Sequence, residues 1–305
     1  MGFGEIAEKT RAPAVSLQKE IYDEIFGKSD DDKDIEYSKK ILISGYNNTG
    51  KSTLALRMLC TDLKDDEVIV YIDADNSGAE VISTVFKKEK DNGQILYWTP
   101  HATKRVVRGD REVTIRDEEQ IVEKTMTASA SIQDAIDGGW NIKGVIIDGL
   151  SFLLEYSEAK MRLDKNLSPE QGVPMSSWKI RNKFFREFYS PFMVMKLPVI
   201  FISHDDFIRK PTDERDLSSV KSTFIDECSV RIETYTETNP NNSDVEDYYA
   251  LIQKDRSNIR NVKSKYVFLS VNRAKYDEDK KENFESCIDE CSQNIVDAIF
   301  TNPTN

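Results

Sequence analysis

The chain has 305 residues, 39% hydrophobic and 31% charged, with a net charge of −12 and a pI of about 4.9. That length can bury a full core and suits one large α/β domain with elaborations, or two small ones. The acidic balance excludes a protein that coats duplex DNA by bulk charge, and no apolar run approaches the ~20 residues that cross a bilayer.

Residues 14–27, "AVSLQKEIYDEIFG", carry Leu17, Ile21, Ile25 and Phe26 at helical spacing, and "KSDDDKD" follows as a charged loop. "KILIS" reads as a short buried strand, "GKSTLALRMLCTDL" as a helix with Leu54, Met58 and Leu59 inward, and "EVIVYIDA" as a second strand. "AEVISTVFKKEK" reads as a helix and "QILYWT" as a third strand. Such alternation implies a parallel sheet covered on both faces. "VVRGDREVTI" interrupts it, with two β-rich flanks around Gly109-Asp110 that predict a protruding hairpin. A long helix is expected from Glu118 to Ile136, ending at Gly138-Gly139. "KGVIIDGLSFLL" supplies a fourth strand, "SSWKIRNKFFREFYSPFMVM" a helix and "LPVIFISHDDF" a fifth strand. Beyond residue 225, "ECSVRIETYTE", "DYYALIQK" and "SKYVFLSVN" read as successive strands, and a helix over 282–300 closes the chain. The expected organisation is an N-terminal helix and acidic loop (1–37), a central α/β core (38–275) and a C-terminal acidic helix (276–305). No internal repeat or low-complexity linker is present.

Four scattered cysteines (Cys60, Cys228, Cys287, Cys291) do not make a disulfide framework. With only His101 and His204 in the chain, neither near Cys287 or Cys291, free thiols are expected rather than zinc. The N-terminus lacks a basic-then-apolar secretory pattern, and Ile6 stands where a myristoylation signal needs Ser or Thr. A cytoplasmic location is therefore expected.

The most specific signal is "GYNNTGKST", residues 45–53, where Gly45 to Ser52 match G-x-x-x-x-G-K-[ST] between a strand and a helix. The glycines let the backbone of Tyr46, Asn47, Asn48 and Thr49 wrap a phosphate with N–H groups inward, and the helix dipole behind Gly50 adds to the attraction. In this motif Lys51 reaches the β- and γ-phosphates, Ser52 ligates magnesium and Thr53 is available to the α-phosphate. ATP and Mg2+ are the cofactors it implies. Such a loop needs an acid on a neighbouring strand to hold the metal. Asp148 ends the apolar run Val145-Ile146-Ile147 and supplies one, at the strand end where α/β sheets bind ligands. Asp73 and Asp75 end the strand after the phosphate-loop helix, where a carboxylate can polarise an attacking water. His204 ends the strand after Asp148. Lys254 and Arg256, alternate residues near a strand end, point to one side.

In the order and spacing of "GYNNTGKST", "VYIDADNS", "VIIDGL", "VIFISH" and "QKDR", the chain resembles RecA-type ATPases from about Ser38 to Arg273. It looks most like the short single-domain members that phages encode as single-strand annealing proteins, which would place it in a host cytoplasm. The resemblance implies an α/β core with a mostly parallel sheet, antiparallel strands on its C-terminal side, and ATP hydrolysis in a homo-oligomeric ring or filament. It implies Asp75, with Asp73 as the alternative, as the water-activating acid, and Asp148 as the magnesium acid. His204 becomes the coupling residue, and Lys254 and Arg256 fingers that act across a subunit interface. The family more often has Glu at the position of Asp75 and Gln at that of His204.

The resemblance also implies that the loops after the fourth and fifth strands line a path for single-stranded DNA. Here these are "EYSEAKMRLDKNLSPEQGVPMSS", with Lys160, Arg162 and Lys165, and "DDFIRKPTDERDLSSVKST", with Phe207, Arg209, Lys210, Arg215 and Lys221. Two other functions fit the same motifs: a helicase or translocase motor, and a nucleotide switch that gates a protein partner without DNA. A small-molecule kinase would need an Arg-rich lid, for which the hairpin with Arg105, Arg108 and Arg111 is the candidate.

Overall fold

The structure is a computed structural model that describes residues 38–168, 171–204, 224–258, 260, 262–272, 288–290 and 294–300. The expected helix over 14–27 and the cations of the segment after the fifth strand lie outside these residues.

The first strand is β1 (Lys40–Gly45), and the phosphate-loop motif joins it to α1 (Lys51–Cys60). Next come β2 (Val68–Asp73), α2 (Gly78–Thr84), α3 (Lys87–Asp91) and β3 (Ile95–Trp98). The hairpin is β4 (Thr103–Arg108) and β5 (Arg111–Arg116), followed by α4 (Glu118–Asp137) and β6 (Ile142–Asp148). Helices α5 (Leu150–Asp164) and α6 (Trp178–Val194) lead to β7 (Val199–His204). The chain then forms β8 (Val230–Thr238), β9 (Val245–Asp255), β10 (Lys265–Asn272), β11 (Ile288–Glu290) and α7 (Asn294–Phe300).

Among the described residues, nine strands form one sheet in the order β11-β10-β9-β8-β1-β7-β6-β2-β3, and the hairpin is a separate two-stranded sheet. From β3 to β8 neighbouring strands are parallel; β9, β10 and β11 continue antiparallel. The period-2 alternation of side chains sends alternate residues of each central strand to opposite faces. Ile41, Ile43, Ile146, Ile200 and Ile202 join Leu54, Leu56, Ile82 and Ile295 in one core. Leu42, Val145, Ile147, Val199 and Phe201 join Ile121, Leu153, Phe185 and Phe192 in the other. Both faces are thus covered, which explains the unbroken apolar runs in β1, β6 and β7.

Three elements differ from the sequence reading. The expected single helix over 79–90 is two, α2 and α3, because the break at Val85–Phe86 turns Phe86 into the core at 5% exposure. The segment from Leu150 is helix rather than strand and loop. Gly149, at φ 93°, turns the chain sharply after Asp148, and Leu150, Leu153, Ser157 and Met161 then recur with helical period on the buried side. Finally, Ile288–Glu290 is a strand paired with β10 where helix was expected, and the described helix there covers only Asn294–Phe300. Among the described residues, no helix is long and apolar enough to cross a membrane.

Candidate phosphate and metal site

Because β1, β2, β6 and β7 are parallel, their carboxyl ends share one edge, and their register sets what meets there. Gly45 lies beside His204, and Asp73 beside Asp148. Between Gly45 and Lys51 the chain curls into a compact turn in which Asn48 and Gly50 take left-handed conformations, with φ of 61° and 74°. The turn is braced from within. Thr49 Oγ1 donates to the Tyr46 carbonyl at 2.9 Å and shares a hydrogen bond of 2.7 Å with Thr234 Oγ1 on β8. Lys51 Nζ also donates to the Tyr46 carbonyl, at 2.6 Å. The N-terminus of α1 receives no side-chain cap, which suits an anion at its amides.

Ser52 Oγ donates to Asp148 Oδ2 at 2.6 Å, so residues 96 apart in sequence meet above the sheet edge. The Tyr71 hydroxyl donates to the same oxygen from below. Burial raises the Asp148 carboxyl to about pKa 6, and the nearby charge of Asp75 pushes in the same direction. A buried carboxylate facing a hydroxyl is a donor pair for a hard divalent cation. Among the described residues no three His, Cys, Asp or Glu side chains cluster to hold a metal. A cation at Ser52 and Asp148 would therefore need phosphate oxygens and water to complete its shell.

The two acids after β2 differ sharply. Asp73 is buried and accepts from the Gly78 amide at 2.9 Å, the Ser77 amide at 3.1 Å and the Tyr97 hydroxyl at 2.8 Å, which makes it a brace for the start of α2. Asp75 faces a cavity of about 680 Å³ that is also lined by Asn47 to Thr53, Asp148 and His204. Its Oδ2 lies 3.4 Å from His204 Nε2, and its Oδ1 accepts from the Ser77 amide and hydroxyl. Burial works against the Asp75 anion, but the hydrogen bonds from His204 and Ser77 outweigh it and hold the carboxyl down to about pKa 2. It is thus ionised at neutral pH.

Lys51, Ser52, Asp75, Asp148 and His204 therefore converge on one cavity. Gly45 and Tyr46 do not line it, and Tyr46 is 61% exposed. Lys254 and Arg256 do not line it. They lie where β9 ends beside the start of β8, with Lys254 opposite Arg231, at the sheet edge away from Gly45. There Lys254 Nζ donates to the carbonyls of Ile225 and Asp226, and Arg256 donates to that of Asp226.

The cations expected along a DNA path from the first loop stand on or just beyond α5. Lys160 Nζ lies 4.7 Å from the centre of the Phe184 ring and 3.6 Å from Asp164, while Arg162 holds Glu158 and the carbonyls of Ser168 and Gln171. Tyr71, Tyr97, Ser77 and Thr234 were missed in the sequence, although Tyr71 lies two residues before Asp73 and so on the same strand face.

The fold and cavity thus define an α/β protein with a compact turn over Gly45 to Ser52 and a facing acid at the carboxyl edge of a mostly parallel sheet. Solved structures with a similar architecture include the flagellar accessory protein FlaH from Methanocaldococcus jannaschii, at TM-score 0.40 and 15% identity over 77% of this chain and 84% of that one. The KaiC-like protein PH0186 from Pyrococcus horikoshii OT3 matches at TM-score 0.40 and 15% identity over 75% of this chain and 85% of that one. No family model and no curated protein matches the sequence.

Proposed function

We propose that the chain is a magnesium-dependent ATPase of the RecA-like kind, working as a head-to-tail homo-oligomer on single-stranded DNA during recombination or annealing. The observation that carries the ATPase reading is the meeting of Ser52, Asp148, Asp75 and His204 around the turn over Gly45 to Ser52. In this reading the turn's amides and Lys51 bind the phosphates, and Ser52 and Asp148 hold Mg2+. A cation held there would supply neutralisation of the charge on the transferring phosphoryl group. Asp75 polarises the attacking water through a hydrogen bond, and His204 orients that carboxylate.

The far placement of Lys254 and Arg256 supports assembly. About four residues of β1, roughly 13 Å of strand, separate the two sheet edges, so these cations reach a phosphate only in another subunit. An interface that joins one edge to the opposite edge of a neighbour is heterologous and closes into a ring or grows into a filament.

The internal engagement of Lys160 and Arg162 favours a second reading, in which nucleotide gates a protein partner and no DNA binds. ATP hydrolysis measured with and without single-stranded DNA, at two salt concentrations, separates the two. The DNA reading expects stimulation that falls as salt rises. Hydrolysis that ignores DNA, with no retention on it, sinks that reading and leaves the partner-gating one. No ATP binding at all would remove both.

A further inference from the structure

Beneath the metal-binding pair lies a built layer of two tyrosines. Tyr71 is fully buried and donates to Asp148 Oδ2, the oxygen that also receives Ser52. Tyr97 stacks on Tyr71 with ring centres 6.2 Å apart, and its own hydroxyl goes to Asp73. Helix α2 begins at Gly78 directly against the Tyr71 phenol. A Cβ there would stand 2.5 Å from the ring, so only glycine lets the helix start so close.

A tyrosine in such a place does more than fill space, since phenylalanine would fill it equally well. Ser52 is itself a candidate ligand, and when its hydroxyl turns to a cation the Tyr71 hydroxyl is the side-chain donor that stays with Asp148. Partners that orient a ligating carboxylate from behind set the affinity of the site for its ion. We propose that Tyr71 is a positioning residue for the metal-binding carboxylate, its phenol fixing Asp148 beneath Ser52 so that cation affinity depends on that one hydroxyl. The inference rests on the reading of the turn as a magnesium–nucleotide site.

The test is calorimetric binding of ADP to the full chain, first in EDTA and then at rising Mg2+, for the wild type, Tyr71→Phe and Tyr97→Phe. Tyr71→Phe is expected to bind ADP like the wild type in EDTA but to need about 10- to 100-fold more Mg2+ for half-saturation. Tyr97→Phe, which loses a donor to Asp73 rather than Asp148, keeps the wild-type Mg2+ requirement. Gly78→Ala, which retains the hydroxyl but displaces the ring, should also raise the Mg2+ requirement, and it decides the matter if Tyr71→Phe does not fold. A Mg2+ requirement for Tyr71→Phe within about twofold of the wild type overturns the proposal, as does an equal loss of ADP affinity with and without Mg2+, the mark of a merely structural role. A wild type that binds no ADP under either condition is a different failure, that of the nucleotide site itself.

Discussion

At the scale of single residues, burial decides which side chains can react. Cys228 is fully buried in the core beneath α6, and Cys60 is half-buried at the end of α1. Burial pushes the Cys228 thiol up to about 12, against the opposing charge of Lys254. The Cys60 thiol also rises to about 12, through burial and then the charge of Glu89. The thiolate is the nucleophile, so at pH 8 both groups stay protonated and unreactive. Alkylation by iodoacetamide at pH 8, mapped by peptide mass, should therefore leave both unmodified in the native protein and modify both in denaturant. Rapid native labelling of Cys228 would contradict the burial. The linkage has a definite sign. The folded state keeps these protons while the unfolded state loses them, so their contribution to stability falls as pH rises from about 9 toward 12. The same scale explains why the phosphate turn was legible in sequence. Its residue types form one consecutive pattern from Gly45 to Ser52, whereas Tyr71 and Thr234 matter through partners 77 and 185 positions away.

Elements were legible where periodicity reports burial. The strands β1, β2, β6 and β7 announce themselves as apolar runs, and α4 was read to within one residue because its start at Asp117 and its end at Gly138 carry ordinary capping chemistry. The misreadings fall where one pattern serves two structures. A run such as Leu150-Ser151-Phe152-Leu153-Leu154 continues the apolar texture of β6, and only the backbone reversal at Gly149 turns it into a helix. The β4–β5 hairpin presents a sharper question. It is a separate sheet whose Val107 is 76% exposed, and its base is held by the Asp117 amide on the Ala102 carbonyl and by Arg116 over the Tyr156 ring. Little apolar surface is lost when it is removed. Replacing residues 104–115 by two glycines should change unfolding free energy by less than about 1 kcal/mol and leave ADP binding intact. Denaturant unfolding and calorimetry check both. A loss of ADP affinity would instead support the hairpin as a lid over the phosphates, the arrangement a small-molecule kinase would need.

At the scale of the whole molecule, the separation of the two sheet edges bears on the proposed assembly, under which hydrolysis would be a property of a pair of subunits. The cavity at the turn over Gly45 to Ser52 occupies the carboxyl edge of β1, β6 and β7, and Lys254 and Arg256 stand at the other. Within one chain they occupy backbone carbonyls of Ile225 and Asp226, contacts that a neighbour's phosphates would have to replace. Two inactive variants should therefore rescue each other. Asp148→Asn spoils the metal carboxylate but keeps the cations; Arg256→Ala does the reverse. If the cations act across an interface, random co-assembly at equal amounts gives about a quarter of interfaces with an intact site facing an intact Arg256. Steady-state ATPase of the mixture should then recover to about that fraction of wild type, while each variant alone stays near background. A mixture that merely averages its components would show that Arg256 serves its own subunit or none. Hydrolysis by Arg256→Ala alone at the wild-type rate would remove its role as a finger, while leaving the phosphate turn and its facing acid untouched.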